Sequence, residues 1–154
     1  MEKRVKIREF RKEDIPACIE IIKETLGEHN ANLARGDFWE GIKLKLNEYA
    51  FLKRIVACKS KRIIAIAGVY RLVTHPNEFV GICWYGIKPK YQRKGIGSEL
   101  MNRMEKIARK EEYKFFFVWA AKKAVPFYDK FGFKINKKLK LIPVESRILM
   151  TKKL

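Results

Sequence analysis

The strongest constraint on the fold is a short segment, Gln92-Arg93-Lys94-Gly95-Ile96-Gly97, that joins a strand-like run to a helix-like run. The run before it, residues 79–87, is apolar and stops just ahead of Pro89, as a buried strand would. The run after it extends roughly from Gly95 to Glu111 and carries an apolar stripe at helical spacing, made of Ile96, Leu100, Met104, Ile107 and Ala108. A further apolar run, residues 114–120, indicates a strand–helix–strand crossover at the centre of the chain.

The glycine-containing segment has the chemistry of an anion-binding loop. Gly95 and Gly97 let backbone N–H groups approach a ligand closely, and the first N–H groups of the following helix lack intrahelical partners. Arg93 and Lys94 add positive charge beside them. The pattern therefore predicts a pyrophosphate-binding loop, with a tight strand-to-helix turn as the alternative. It is not a Walker loop, and Leu100 stands where a dinucleotide-binding fingerprint has its third glycine.

The N-terminal third of the chain predicts one strand and two helices. Residues 5–10 alternate between polar and apolar side chains, as in a strand. Asp14 is predicted to cap a first helix that ends at Gly27. Residues 28–35 are polar and predict a loop. A second helix is expected from Asp37, with one apolar face made of Phe38, Ile42, Leu46 and Tyr49.

The remaining residues predict mainly strands. The expected elements are a hairpin of residues 54–58 and 62–73 around a turn at 59–61, a second turn at 75–77, a short helix at 124–130 and two late strands at 133–141 and 146–152. The resulting order is β-α-α-β-β-β-α-β-α-β-β. It predicts an α/β protein of the α+β type, with a mixed, mostly antiparallel sheet of six to seven strands flanked by helices.

Size, charge and cysteine content narrow the class of protein. The 154 residues suffice for a single domain, residues 1–154, and no run approaches the roughly 20 apolar residues that span a bilayer. The N-terminus lacks the apolar stretch of a signal peptide, so we expect a soluble, cytoplasmic protein with no membrane partner. Three separated cysteines without a CxxC pair or a Cys/His cluster predict neither disulfides nor a metal site. The net charge of +18 favours anionic ligands, although a generally lysine-rich surface also explains it.

Two motifs carry a resemblance to a known family. Residues 89–97 contain a Gln-x-x-Gly-x-Gly loop, and residues 125–133 read Val-Pro-Phe-Tyr-Asp-Lys-Phe-Gly-Phe. Together with the order of elements, these motifs resemble the GNAT superfamily of acetyl-CoA-dependent N-acetyltransferases over almost the whole chain. The resemblance implies a GNAT-like acyl-CoA N-acyltransferase fold, acetyl-CoA as the acyl-donor cosubstrate, and no metal.

The resemblance assigns CoA-binding roles to two adjoining segments. In the family, the strand before the loop bulges and pairs with the pantetheine arm of CoA. Tyr85, Gly86 and Ile87 correspond to that part of the strand, and Gly86 would suit a bulge. Backbone N–H groups of the loop hold the CoA pyrophosphate. The corresponding residues here are Gln92, Arg93, Lys94, Gly95, Ile96, Gly97 and Ser98.

The resemblance also suggests two catalytic residues. Tyr128 corresponds to the tyrosine that protonates the departing thiolate, and a phenol of pKa about 10 can donate to a thiolate whose thiol has a pKa of about 8.5. Glu78, at the start of the strand before the loop, is the nearest carboxylate that could serve as the base. The sequence departs from the family at Ala121, where Asn or Asp is common, and in having no Glu further along that strand. An amine of lowered pKa could instead lose its proton to solvent.

The resulting interpretation is direct transfer of an acetyl group from acetyl-CoA to a primary amine of a protein, a peptide or a small metabolite. By resemblance, residues 27–38 and 136–146 are expected to shape the acceptor pocket, and they contain Glu28, Asp37 and Glu145. One alternative is a non-catalytic acyl-CoA-binding regulatory domain. A basic nucleic-acid-binding module ranks last, because it rests on charge alone. A surface strand at the C-terminus leaves a homodimer open.

Overall fold

The computed structural model describes residues 4–40, 49–72, 74–75, 77–141, 143–144 and 146–154, and within them it places a central sheet between helices. The strands are β1 (Lys6–Glu9), β2 (Tyr49–Lys59), β3 (Arg62–Leu72), β4 (Phe79–Ile87), β5 (Phe115–Ala121), β6 (Lys134–Ile135) and β7 (Arg147–Lys153). The helices are α1 (Ile15–Leu26), α2 (Glu28–Glu40), α3 (Ile96–Lys110) and α4 (Val125–Lys130). The predicted order of strands and helices is confirmed.

The sheet is mixed and mostly antiparallel, as predicted. Its seven strands are arranged in the order β1-β2-β3-β4-β5-β7-β6. Five of the six neighbouring pairs are antiparallel, and β4 with β5 is the parallel pair. The crossover between β4 and β5 contains α3, because parallel neighbours need a connection that returns the chain to the same end of the sheet.

The two faces of the sheet are covered by different helices. On one face, α1 and α2 pack against alternate residues of β2 and β3, including Val56 and Ile66, and against Ile63, which a register shift at Ile64 brings to the same face. On the other face, α3 and α4 pack against the intervening residues, such as Ala57, Ala65 and Ala67. This alternation follows from the two-residue period of a strand. Among the described residues, no helix combines the length and the apolar character needed to cross a membrane.

The parallel ladder between β4 and β5 is short. It contains only three residue pairs, which run from Phe79 opposite Phe115 to Gly81 opposite Phe117. On its other side β4 stays paired with β3 as far as Ile87. The second half of β4 therefore separates from β5, and a gap opens in the middle of the sheet.

The prediction of a loop at residues 28–35 is wrong, because α2 begins at Glu28, directly after Gly27. Ala31, Ala34 and Phe38 are fully buried and lie on one face of this helix. The stripe consists mostly of alanine, so it contributes little apolar signal and the segment looks like a polar loop. The small side chains nonetheless let α2 pack closely on α1.

Two further boundaries differ from those predicted. Tyr49, expected on the second helix, is the first residue of β2, whereas Ile42 and Leu46 lie outside the described residues. The strand expected at 133–141 shortens to β6, which is two residues long. Asn136 ends it, because its side-chain oxygen accepts hydrogen bonds from the backbone N–H groups of Lys138 and Leu139 and so turns the chain.

Asp14 links β1 to α1 through hydrogen bonds, although it was expected to cap α1. No side-chain capping bond forms at this helix. Instead, the two terminal nitrogens of Arg8 donate to the carboxylate oxygens at 2.7 and 2.9 Å, and the backbone N–H of Arg11 donates at 2.7 Å. Burial would by itself raise the pKa of Asp14, but these hydrogen bonds outweigh it and hold the pKa below its ordinary value.

Replacing Asp14 by Asn is therefore expected to lower the free energy of unfolding by about 2 kcal/mol at neutral pH, because charge-assisted hydrogen bonds are lost at a buried site. Since the pKa is lowered in the folded protein, the advantage of the wild-type chain is complete above the ordinary Asp pKa of about 3.9 and is lost as pH falls further. Urea denaturation at several pH values measures both effects. Glu13→Gln, an exposed neighbour, is the matched control, and an equal loss in both variants would contradict the assignment.

Candidate active site

A cavity of about 720 Å³ occupies the gap between β4 and β5. Its walls come from the α1–α2 junction, the second half of β4, the loop before α3, the end of β5, α4 and the start of β7. A volume of this order accommodates a small-molecule ligand. The cavity also reaches both faces of the sheet, so two ligands entering from opposite faces can meet in it.

A bulge in β4 marks the point at which the strand turns toward the cavity. Ile66 pairs with Gly86 and Gly68 pairs with Cys83, so Ala67 lies opposite two residues, Trp84 and Tyr85. Trp84 has a φ of +49°, which is rare for a bulky side chain. The resemblance suggested Gly86 as the bulged residue, and the structure corrects this to Trp84.

Trp84 is held in this conformation by α2. Its indole N–H donates a 2.7 Å hydrogen bond to Asp37, whose same oxygen accepts a hydrogen bond from Arg54 at 2.8 Å. The Trp84 ring packs edge-on to Phe38, with ring centroids 6.4 Å apart. A hydrogen bond to a charged acceptor and aromatic packing together offset the strain of the positive φ. Asp37 thus supports the bulge and does not line the cavity.

Gly86 has a different role from the one expected. A Cβ atom at this position would lie 2.9 Å from the Thr25 hydroxyl oxygen at the end of α1. Glycine is required here because α1 and β4 approach each other closely. This contact brings the C-terminal end of α1 to the rim of the cavity.

The loop before α3 presents backbone N–H groups to the cavity. Arg93 and Gly95 have φ values of +58° and +83°, and α3 begins at Ile96, with the Glu99 N–H donating to the Gly95 carbonyl. The N–H groups of the first turn before Glu99 have no intrahelical acceptors. Gln92 braces the loop, since its side-chain NH₂ donates to the Ile87 carbonyl at 2.9 Å. The arrangement is a helix N-terminus with added positive charge from Arg93, which is a geometry suited to an anion.

Tyr85 connects the bulged strand to this loop. Its hydroxyl donates a 2.6 Å hydrogen bond to the Gly97 carbonyl. Burial raises the pKa of the Tyr85 hydroxyl, so it stays protonated and remains a donor. A Cβ atom at residue 97 would lie 2.8 Å from the Tyr85 hydroxyl oxygen and 3.1 Å from Ile87, so α3 can approach β4 this closely only with glycine at position 97.

Tyr128, on α4, places its side chain in the cavity. It is 7% exposed and packs against Phe127 and Phe133, and its ring centroid is 6.5 Å from that of Tyr85. Its hydroxyl makes no hydrogen bond to another residue in the described part of the chain. Burial raises the pKa of Tyr128 to about 12, against the opposing effect of the Arg147 charge. Tyr128 is therefore a protonated donor that has no acceptor among the described residues.

The sequence profile of the Acetyltransferase (GNAT) family matches residues 16–133, which is most of the chain. The chain belongs to the GNAT acetyltransferase family. It is an acetyltransferase, as the resemblance implied. No curated protein sequence matches it.

Solved structures agree with this assignment at the level of fold. The PaiA N-acetyltransferase of Thermoplasma acidophilum, in complex with coenzyme A, matches with a TM-score of 0.73 and 22% identity over 98% of this chain and 99% of its own. The GNAT family N-acetyltransferase YhbS of Escherichia coli, in complex with CoA, matches with a TM-score of 0.78 and 17% identity. That match covers 99% of this chain and 83% of YhbS. A proposed acetyltransferase from Pyrococcus horikoshii matches with a TM-score of 0.68 and 20% identity. That match covers 86% of this chain but only 44% of the Pyrococcus protein.

Most of the residues predicted for this GNAT acetyltransferase's site come together in the cavity, and three do not. Ile96 is 5% exposed and packs in the core below α3, and the Lys94 ammonium lies 5.9 Å from the Tyr91 ring, outside the cavity walls. Glu78 precedes the opposite end of β4, roughly 20 Å along the strand from Tyr85. The predicted residues that line the cavity are Tyr85, Gly86, Ile87, Gln92, Arg93, Gly95, Gly97, Ser98 and Tyr128.

The acceptor side of the site was only partly anticipated. The expected segments contribute Asn30 and Val144, but the described residues place no carboxylate on the cavity wall. Glu28 pairs with Lys23, and Glu145 lies outside the described residues. Within the same residues, no group of three or more potential ligands could hold a metal ion. Local sequence patterns did not indicate several other lining residues, because these come from distant elements: Thr25, Tyr70, Trp84, Trp119, Lys123 and Arg147.

The contact between Gly97 and Tyr85 leads to a test of this geometry. Gly97→Ala is expected to destabilise the protein by about 1–3 kcal/mol, because the new methyl group must displace the Tyr85 hydroxyl. In a Tyr85→Phe background the same change should cost less, since that hydroxyl is absent. Thermal denaturation of the wild type, both single variants and the double variant measures the coupling. Strictly additive effects would mean that the two side chains do not meet as described.

Proposed function

We propose that this GNAT acetyltransferase, residues 1–154 acting as one domain, transfers the acetyl group of acetyl-CoA directly to a primary amine. The observation that carries the proposal is the separation of β4 from β5 beside the N-terminus of α3, with the Tyr128 hydroxyl in the gap and without a hydrogen-bond partner among the described residues. The bound CoA in the structures of PaiA and YhbS supports the same choice of donor.

The described residues suit acetyl-CoA as the donor. The N–H groups of Ile96, Gly97 and Ser98, at the start of α3, are available for the pyrophosphate, and Arg93 adds a cation at the cavity wall. The backbone of β4 beyond Gly81 has no ladder to β5 and can therefore pair with the extended arm of the coenzyme. Ala121 leaves the family's usual Asn or Asp contact unmade.

Acetyl-CoA supplies the acetyl group as a thioester. The backbone N–H groups of β4 after the bulge can donate to the thioester carbonyl oxygen, where negative charge develops. As the C–N bond forms and the C–S bond breaks, the Tyr128 hydroxyl donates a proton to the thiolate and recovers one from solvent. Cys83 also lines the cavity, but burial raises its pKa and keeps it a protonated, poor nucleophile, which favours direct transfer over an acyl-cysteine.

The cavity itself favours the neutral form of the amine. Its acceptor side is largely apolar and also carries the Arg147 cation, and both features lower the pKa of a bound ammonium group. Since Glu78 lies at the other end of β4, we propose that solvent removes the proton. Holding both substrates in one cavity then supplies much of the rate.

Calorimetry with acetyl-CoA and an assay of free CoA release with a panel of primary amines test this function. We expect binding in the micromolar range and amine-dependent release. Arg93→Gln should weaken acetyl-CoA binding by about tenfold, since it removes a cation beside the loop. Lys106→Gln, an exposed lysine further along α3, is the charge-matched control. Binding without release under any amine would favour the regulatory domain, and the absence of binding would overturn the proposal.

Tyr128→Phe is expected to lower kcat by about a hundredfold and to leave acetyl-CoA affinity nearly unchanged, because only the proton donor is removed. Burial raises the pKa of Tyr128 to about 12, so the hydroxyl keeps its proton throughout the working range. The wild-type rate should rise with pH as the amine deprotonates. It should show no decrease at any pH up to about 11, because the Tyr128 hydroxyl is still protonated there. Tyr113→Phe, a buried tyrosine outside the cavity, is the control, and equal kcat values for it and Tyr128→Phe would refute the acid role.

A further inference from the structure

Arg147 is the first residue of β7 and lines the cavity at the end where β4 and β5 separate. It pairs with Ala121, the last residue of β5. The guanidinium is thus held by a regular strand beside the site, and its charge acts on Tyr128 within the same cavity. A cation in such a position is built into the sheet and does not depend on a loop.

Among the described residues, the guanidinium makes no interaction that would explain its presence. No hydrogen bond or ion pair joins it to another residue in the described ranges, whereas Arg8 and Arg54 each bind a carboxylate. Arg147 is only partly exposed, so its charge is not fully solvated. An arginine without a carboxylate partner at a cavity wall is suited to bind the oxyanion of a ligand through two parallel N–H groups.

The strand register places Arg147 on the acceptor side of the sheet. Trp119 and Leu149 face each other across β5 and β7, and both belong to the cluster around Phe79 and Phe117. Arg147 lies two residues before Leu149, so its side chain is on that same face. The α3 helix and its loop lie on the opposite face, since α3 packs with Val118 and Met150. Arg147 therefore lies on the opposite face of the sheet from the proposed pyrophosphate-binding loop, at the other side of the shared cavity.

The surroundings of Arg147 are apolar and aromatic. No acidic side chain lines the described part of the cavity, and the whole chain carries a net charge of +18. A ligand whose only charge is positive is therefore poorly matched to this side, whereas an anionic group is well matched. The apolar walls can cover a ligand body of aromatic or aliphatic character. They are formed by Leu26, Tyr70, Trp84, Trp119 and Val144.

We propose that the acceptor is a small primary amine that also carries an oxyanion, such as a carboxylate, next to an apolar body, and that Arg147 binds the oxyanion. The inference rests on the acetyltransfer proposed above and adds the class of acceptor. With the oxyanion on Arg147 and the body against the aromatic wall, the amine is directed toward the gap in the sheet. Arg147 is then a residue that determines specificity and takes no part in the chemistry.

Matched acceptor pairs test this class. Phenylalanine against 2-phenylethylamine and tryptophan against tryptamine differ only in the carboxylate, and phosphoethanolamine against ethanolamine tests phosphate as the oxyanion. The wild-type protein should prefer the anionic member of at least one pair by about thirtyfold or more in kcat/KM. Arg147→Gln should reduce that ratio toward one, and Arg147→Lys should give an intermediate ratio because it keeps the charge but loses the planar pair of donors. Arg103→Gln, exposed on α3, should leave the ratio unchanged.

Product binding gives a second readout that does not require turnover. N-acetylphenylalanine should bind the CoA-saturated protein more tightly than N-acetyl-2-phenylethylamine, and Arg147→Gln should abolish the difference. Acetyl-CoA affinity should be the same in the wild type and in Arg147→Gln. If neither acceptors nor products discriminate by charge while acetyl-CoA still binds and is turned over, the acceptor class is wrong and the acetyltransferase function stands. If acetyl-CoA does not bind, the function itself fails.

Discussion

The site depends on the early end of the parallel ladder between β4 and β5. Three residue pairs, the last of them Gly81 opposite Phe117, join the strands before they diverge. The antiparallel ladders on either side continue, so the sheet stays in one piece while a gap forms at its centre. A longer ladder would pair the backbone groups of β4 internally and leave none for a ligand. The same gap gives access from both faces of the sheet.

The divergence is maintained by contacts from α2. Trp84 has a positive φ, a conformation that costs on the order of 1–3 kcal/mol for such a residue. Its hydrogen bond to Asp37 offsets part of that cost, and the Arg54 guanidinium lies 4.7 Å from the Phe38 ring on the same helix. The α2 helix therefore fixes the shape of the strand that we propose binds the acyl donor.

In the proposed function, the two faces of the sheet bind different ligands. On one face, the start of α3 and Tyr85 arrange the loop for the phosphate groups of the coenzyme. On the other face, Arg147 and the aromatic residues line the part of the cavity in which we propose that the amine binds. Tyr128 lies in the cavity between them, and its raised pKa follows from its burial. In this proposal, the charged groups and the shape of each side of the cavity match the ligand that enters from that face.

The sequence by itself determined the order of elements, the loop before α3 and the position of Tyr128 on α4, because these depend on short-range periodicity, glycine placement and a compact motif. Only the tertiary structure decided that residues 28–35 are helical. Their buried stripe is mostly alanine, and it stabilises the helix only by packing against α1. The tertiary structure also showed that the bulge is at Trp84 and not at Gly86, and that Arg147 lines the cavity. Both outcomes arise from contacts between residues far apart in the chain, which local spacing does not encode.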